Sequence, residues 1–196
     1  MNGVLIAFEG LDQSGKETQA ARLRARFASA GRTVRALSFP DYSTPIGKEI
    51  RAALDGQRDF APDTLQLLYI ANRHEYRADM ETWLAAGDVV VCDRYRASSI
   101  AYGDAQGLDA AWLRDTQRHL PEPTVIFLLD IAPEEAVRRK AHGRDKFERD
   151  LPLLSRVRES YRAQAAAEGW EVIDGARAKD DIEADIVGRI KARRLI

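Results

Sequence analysis

The stretch Phe8-Glu9-Gly10-Leu11-Asp12-Gln13-Ser14-Gly15-Lys16-Glu17-Thr18-Gln19 constrains this chain more than any other. It follows Val4-Leu5-Ile6-Ala7-Phe8, an apolar run with the length of a buried strand, and leads into Lys16–Ala30, which reads as a helix ending at Gly31. Gly10, Gly15 and Lys16 satisfy G-x-x-x-x-G-K, the spacing of loops that hold nucleotide phosphates. Backbone N–H groups of such a loop, with the open N-terminus of the next helix, point at anionic oxygens. Lys16 adds a mobile positive charge for the outer phosphates. An ordinary glycine-rich turn is the rival reading, and the strand–loop–helix context argues against it.

Short apolar runs recur along the chain at Val4–Glu9, Thr33–Phe39, Val89–Asp93, Thr124–Asp130 and Glu171–Asp174. They are nearly continuous in Val, Ile, Leu and Phe, as expected of parallel strands covered on both faces. Helical patterns separate them: Asp63–Ala86, Pro133–Ala141, Phe147–Glu168 and Asp180–Arg194. The alternation predicts an α/β fold, a five-stranded parallel sheet with helices on both faces and right-handed crossovers, in one domain spanning residues 1–196. Gly103–Gly107 and Ala141–Lys146 are expected to be mobile connections.

With 30 basic and 31 acidic residues the formal charge is −1, which gives no bulk electrostatic reason to expect nucleic-acid binding. The single cysteine, Cys92, lies in an apolar run and reads as a small core residue. The absence of paired cysteines suits a reducing cytosol, so a cytoplasmic setting is expected. Met1-Asn2-Gly3 lacks a basic n-region, so no signal peptide is expected, and no apolar run reaches membrane-spanning length. His74, His119 and His142 form no spaced metal cluster.

Ligands of open parallel sheets bind beyond the carboxyl ends of the strands. There the sequence puts Glu9 and Asp12, then Phe39-Pro40-Asp41-Tyr42, Asp93-Arg94-Tyr95, and Asp174-Gly175. Asp93 beside a phosphate loop could orient Mg²⁺, directly or through water. Arg94 could grip a phosphate in a forked arrangement. An Asp–Arg pair merely closing the strand is the alternative.

These pieces together resemble the thymidylate kinase family. The resemblance rests on Phe8–Asp12 with Gly15-Lys16, Phe39-Pro40 with Ser43–Gly47, Ala71-Asn72-Arg73, Asp93-Arg94-Tyr95 with Ala97-Ser98-Ser99 and Ala101-Tyr102, and a basic segment near Arg138–Arg149. The pieces occur in family order across nearly the whole chain. The resemblance implies a three-layer P-loop NTPase fold with a small lid at about 138–149, ATP as donor, dTMP as acceptor, Mg²⁺ as cofactor and a homodimer. It implies donor binding by residues 10–18 (Gly10, Leu11, Asp12, Gln13, Ser14, Gly15, Lys16, Glu17 and Thr18). On the acceptor side Asp12 would meet the sugar 3′-hydroxyl and Arg73 the thymine edge. Tyr69 would stack on the base, or simply pack in the core. Ser98 and Ser99 would sit near the polar base edge, or cap the helix after strand three. Tyr102 would crowd out a ribose 2′-hydroxyl, and Phe39, Tyr42 and Arg94 complete the set. Because Gln13 is uncharged, the resemblance assigns the catalytic arginine to the lid, to Arg139 and Arg144.

Two positions depart from the family pattern. Glu17 follows Lys16 where Ser or Thr is usual. It could point outward in a Ser14-x-x-Glu17 capping box, or bind a metal-bound water. Asp41-Tyr42 stands where an arginine is often found, which leaves Arg94 as the chief acceptor-phosphate cation. Tyr42 could donate to that phosphate; Asp41 could not. The adenine site is expected at the turn Asp174-Gly175-Ala176-Arg177. The rivals are a kinase of the same fold acting on another nucleotide or nucleoside, and a weakly catalytic nucleotide-binding module.

Overall fold

Residues 3–139 and 150–196 are described by the computed structural model. Five strands, β1 (Val4–Glu9), β2 (Val34–Ser38), β3 (Val89–Asp93), β4 (Val125–Asp130) and β5 (Glu171–Asp174), form one parallel sheet in the order β2-β3-β1-β4-β5. The chain winds to one side of β1 through β2 and β3, then to the other through β4 and β5. The carboxyl end of β1 therefore lies where the winding changes direction, the place at which such sheets bind ligands.

Among the described residues the helices are α1 (Lys16–Ser29), α2 (Pro45–Leu54), α3 (Pro62–His74), α4 (Arg77–Ala85), α5 (Arg96–Ala105), α6 (Ala110–Asp115), α7 (Pro133–Arg139), α8 (Leu151–Glu168) and α9 (Lys179–Ala192). β1 is buried along its whole length because both faces are covered. Val4, Ile6 and Phe8 pack with Leu23 and Phe27 of α1 and with Ile182, Ile186 and Ile190 of α9. Leu5 and Ala7 face the other way, toward Phe39, Met80 and Tyr95. Leu128 of β4 packs on the α5, α7 and α8 side. The period-two alternation thus feeds two cores, and each fully buried Leu, Ile or Phe contributes about 2 kcal/mol to docking its helix. Cys92 is buried in the second of these cores, as its apolar neighbours predict.

The expected helix 63–86 is instead two helices. Tyr76 breaks it, sending its hydroxyl to the Asp41 carboxylate and its ring against the edge of Phe39, 5.8 Å between centroids. Met80 then turns fully into the core, while Asn72 bonds the Asp41 amide and Arg73 bonds Ser99. No residue of Arg73–Arg77 opposes a helix, so tertiary contacts make the break. The expected mobile stretch 103–107 is also corrected. Gly103 lies inside α5 and packs so closely that a Cβ there would sit 2.4 Å from Leu113 Cδ1. The expected connection 141–146, and most of the expected lid, lie outside the described residues. No helix among the described residues is long and apolar enough to cross a membrane.

Candidate active site

The loop from Gly10 to Gly15 leaves β1 and delivers Lys16 as the first residue of α1. Gly10 (φ 134°) allows a close approach: a Cβ would lie 2.4 Å from the Leu129 carbonyl oxygen. Residues 12–18 all line a cleft of about 570 Å³, together with Asp93, Arg139, Gly175 and Arg177. Gly10 and Leu11 are buried beneath it. Lys16 is buried, and its Nζ donates to the Leu11 carbonyl at 2.8 Å. Burial, then the positive Arg94, pull the Lys16 pKa down to about 8.

The capping-box reading of Glu17 is overturned. Gly15 caps α1 in a left-handed conformation without any side-chain bond, and the Ser14 hydroxyl is buried without a partner. With Gly15 at the cap, Ser14 is one residue too early to cap. Glu17 is exposed on the cleft wall. Arg139 reaches the loop from α7: its Nη1 donates to the Gln13 carbonyl at 3.1 Å, and its Nε to Glu135 Oε1 at 2.7 Å. Arg144 lies outside the described residues. Gly175 and Arg177, from the turn after β5, wall the same cleft.

Asp93 ends β3, and its Oδ1 is buried without a hydrogen-bond partner where the residue lines the cleft. That orphaned oxygen fits an octahedral Mg²⁺ held by one or two carboxylates plus phosphate and water. An all-protein cage is not what is present: among the described residues no three His, Cys, Asp or Glu side chains group as a metal site.

Arg94 adopts φ 62°, its amide donating to the Phe8 carbonyl at 2.8 Å. Its Nη1 donates to Ser98 Oγ and to the Tyr161 hydroxyl, both at 3.0 Å. Its Nη2 donates to Asp12 Oδ1 at 2.8 Å and to the Tyr102 hydroxyl at 3.4 Å, with the guanidinium 5.4 Å from the Tyr102 ring centroid. Burial alone would lower the Arg94 pKa, but the Asp12 carboxylate overrides it and holds the group well above its usual value.

Arg73, on α3, is 2% exposed. Its Nη1 donates to Ser99 Oγ at 2.8 Å and to the Tyr69 carbonyl at 3.1 Å, and its guanidinium lies 5.9 Å from the centre of the Phe39 ring. Its Nε has no partner, and no carboxylate among the described residues forms an ion pair with it. Burial lowers its pKa, with Glu9 opposing. A buried, under-satisfied guanidinium is an invitation to an acceptor oxygen. Tyr69 is half-buried beside it, whereas Ile70 carries the packing in this part of α3. Ser98 and Ser99 do not cap α5: Tyr95 holds the cap position without a side-chain bond, and the two hydroxyls instead hold the two arginines.

The loop 39–47 is held by Asn72, a residue to which the sequence analysis gives no role. Its Oδ1 accepts from the Asp41 amide at 2.8 Å, and its Nδ2 donates to Thr44 Oγ1 at 2.9 Å and Glu75 Oε2 at 2.8 Å. The Asp41 carboxylate is committed to the turn, accepting from the Ser43 amide and hydroxyl and from Tyr76. Burial pushes the Asp41 pKa up, but the Tyr76 and Ser43 hydrogen bonds outweigh it and keep the pKa below normal. Tyr42 is exposed, with the Arg51 guanidinium 5.6 Å from its ring centroid. Tyr161 is the other functional neighbour that sequence reasoning misses. It stands in the α8 stripe Leu154, Val157, Tyr161, Ala165, whose spacing reads as core.

The family model described as thymidylate kinase matches residues 8–186. A thymidylate kinase of Ralstonia nicotianae is 38% identical over 200 residues, covering 95% of this chain and 97% of that protein. The Arabidopsis thaliana thymidylate kinase is 35% identical over 184 residues, covering 94% of this chain and 69% of its own length. Among solved structures, the thymidylate kinase of Candida albicans superposes with a TM-score of 0.84 at 27% identity, covering 98% of this chain and 93% of that one.

Proposed function

The chain belongs to the thymidylate kinase family, and from that premise we propose how its two pockets move a phosphoryl group from ATP to dTMP, giving ADP and dTDP. The observation that carries the reading is the position of Asp12: it lines the phosphate cleft and also pairs with Arg94 of the second pocket. Donor and acceptor sites therefore meet at one residue.

Little covalent chemistry is asked of the protein, which must align two anions, neutralise charge and keep water out. The amides of residues 10–18 and the Lys16 ammonium hold the donor phosphates. Arg94 holds the acceptor phosphate, exchanging an internal bond to Asp12 for one to the ligand. Asp12, once released, takes the sugar 3′-hydroxyl. Arg73 spends its unpartnered Nε side on the thymine edge, with Tyr69 and Phe39 against the base and Ser98 and Ser99 holding the two arginines. Tyr102, beside Asp12, leaves no room for a ribose 2′-hydroxyl. Tyr42 closes the rim. Arg139, already on the loop carbonyl of Gln13, and Arg144 supply the lid cations. No general base is needed, because the acceptor phosphate is already ionised.

Asp93 would hold Mg²⁺, directly or through water, with Glu17 on the wall of the same cleft; the ion would offset charge on the phosphates. The same reading makes the chain one kinase domain, 1–196, with a lid at about 138–149. It works as a cytoplasmic homodimer, without nucleic acid or membrane as partner. The buried unpaired cysteine, the near-zero net charge and the family resemblance support this. ADP release measured with dTMP, dUMP, dCMP and thymidine as acceptors tests the assignment. The expected result is the highest kcat/KM for dTMP; a preference for dCMP or thymidine overturns it.

A further inference from the structure

Arg94 is aimed from two sides, and only the Asp12 side belongs to the phosphate loop. The other side is a cluster of two hydroxyls and a carboxylate, in which Ser98 Oγ and the Tyr161 hydroxyl lie 2.8 Å apart and share a hydrogen bond. Nη1 donates into this pair, 3.0 Å from each oxygen. Both hydroxyls reach Glu9 Oε2, at 2.7 Å from Ser98 and 3.2 Å from Tyr161, so the Tyr161 hydrogen meets the carboxylate directly or through Ser98. The other carboxylate oxygen, Glu9 Oε1, accepts from the Tyr95 amide at 2.8 Å. Glu9 is fully buried at the end of β1, one residue before the phosphate loop, and Tyr161 is 1% exposed. The relay is therefore anchored on β1, a strand buried along its whole length.

We infer that Tyr161, reaching in from α8, is a positioning residue that orients Arg94 toward the acceptor phosphate by passing the guanidinium's hydrogen bond on to Glu9. The inference rests on Arg94 being the acceptor-phosphate cation. Arg94 needs such a device. Its backbone sits in the left-handed region, and its long side chain has many rotamers to lose. When Asp12 lets go of Nη2 to meet the sugar, the bonds on the Nη1 side, with Tyr102 beside the guanidinium, keep the fork in place. Tyr161 also packs with Leu154 and Val157, so a phenylalanine keeps the shape and loses only the relay.

The test compares two acceptor-site ligands on the full chain, dTMP and thymidine, which differ by the phosphate alone. Dissociation constants are measured by calorimetry for the wild type and for Tyr161→Phe. The expected result is about tenfold weaker dTMP binding, about 1.4 kcal/mol, with thymidine changed less than about twofold. Equal losses for both ligands would mean a merely structural role, and no loss for either would mean no role; each overturns the inference. Glu9→Gln, which keeps the shape but weakens the relay's end, is expected to shift the same ratio in the same direction. It decides the matter should the tyrosine variant fail to fold, and an unshifted ratio there overturns the inference. A wild type that binds thymidine as well as dTMP removes the Arg94 assignment itself. A wild type that discriminates, with a variant that discriminates equally, removes only the role of Tyr161.

Discussion

On the proposed reading the donor cleft and the acceptor pocket share Asp12 but are made of different material. The cleft is backbone: a loop of consecutive residues, a helix N-terminus, and one lysine resting on a loop carbonyl. The pocket is side chains: Arg94 alone is held by residues 12, 98, 102 and 161, and Arg73 by residues 69 and 99. Backbone recognition reads any polyphosphate and tolerates change in the surrounding side chains, which is how Glu17 can sit on the cleft wall. Side-chain recognition is selective, and each loss leaves another buried group unpaired.

The sharpest way to break this contrast is Lys16→Met. Turnover is expected to fall at least about 10³-fold, roughly 4 kcal/mol of barrier, while dTMP still binds. Because burial disfavours the Lys16 charge, thermal stability at neutral pH is expected to hold or rise. Near wild-type turnover would remove the lysine from the mechanism. Arg73→Met comes next. One charged hydrogen bond to the base edge is worth about 1.5–3 kcal/mol, so dTMP and thymidine both are expected to weaken about 10- to 100-fold, with ATP affinity unchanged. Calorimetry with the three ligands checks it, and a loss confined to dTMP would move Arg73 from the base to the phosphate.

Asn72→Ala removes the clamp on the loop 39–47. It is expected to cost about 2 kcal/mol in a urea melt and to raise KM for dTMP while leaving KM for ATP alone; equal rises would contradict separate pockets. The smallest effect is the pH response of the donor side. A bound polyphosphate restores the Lys16 pKa from about 8 toward its ordinary 10.5, so binding takes up a proton between those values. ATP affinity is expected to fall about tenfold from pH 7 to pH 9, with proton uptake seen as a buffer-dependent binding heat. The sign for folding is opposite. The folded state holds fewer protons than the unfolded chain in that window, so this group's contribution to stability rises from about pH 8 to 10.5.

The same contrast explains what the sequence makes legible. The phosphate loop is legible because its parts are consecutive, and the five strands because each is a short apolar run. Val4–Glu9, Val89–Asp93 and Glu171–Asp174 match their expected bounds, Thr33–Phe39 is one residue shorter at each end, and Thr124–Asp130 is one shorter at its start. Helix α2 goes unread even though Thr44 caps it through the Gly47 amide and Pro45 opens it, a local signal that is present. The break between α3 and α4 has no local signal, since it follows from Tyr76 reaching Asp41 across 35 positions. Tyr161 is hidden for the same reason. Its spacing on α8 reads as packing, and only the fold brings its hydroxyl to a residue 67 positions away. Ser98 and Ser99 look like caps in sequence and turn out to be struts for two arginines.

In the proposed mechanism a backbone cradle and a side-chain pocket meet at Asp12 across one transferring phosphoryl group. A crystal structure with a bisubstrate analogue, adenosine joined to thymidine through a chain of phosphates, tests it most directly. The account predicts phosphates against the amides of residues 10–18, the thymine edge on Arg73, and Arg94 turned from Asp12 to a phosphate oxygen. A thymidine end bound away from Arg73, or a phosphate chain that bypasses the loop, would contradict it.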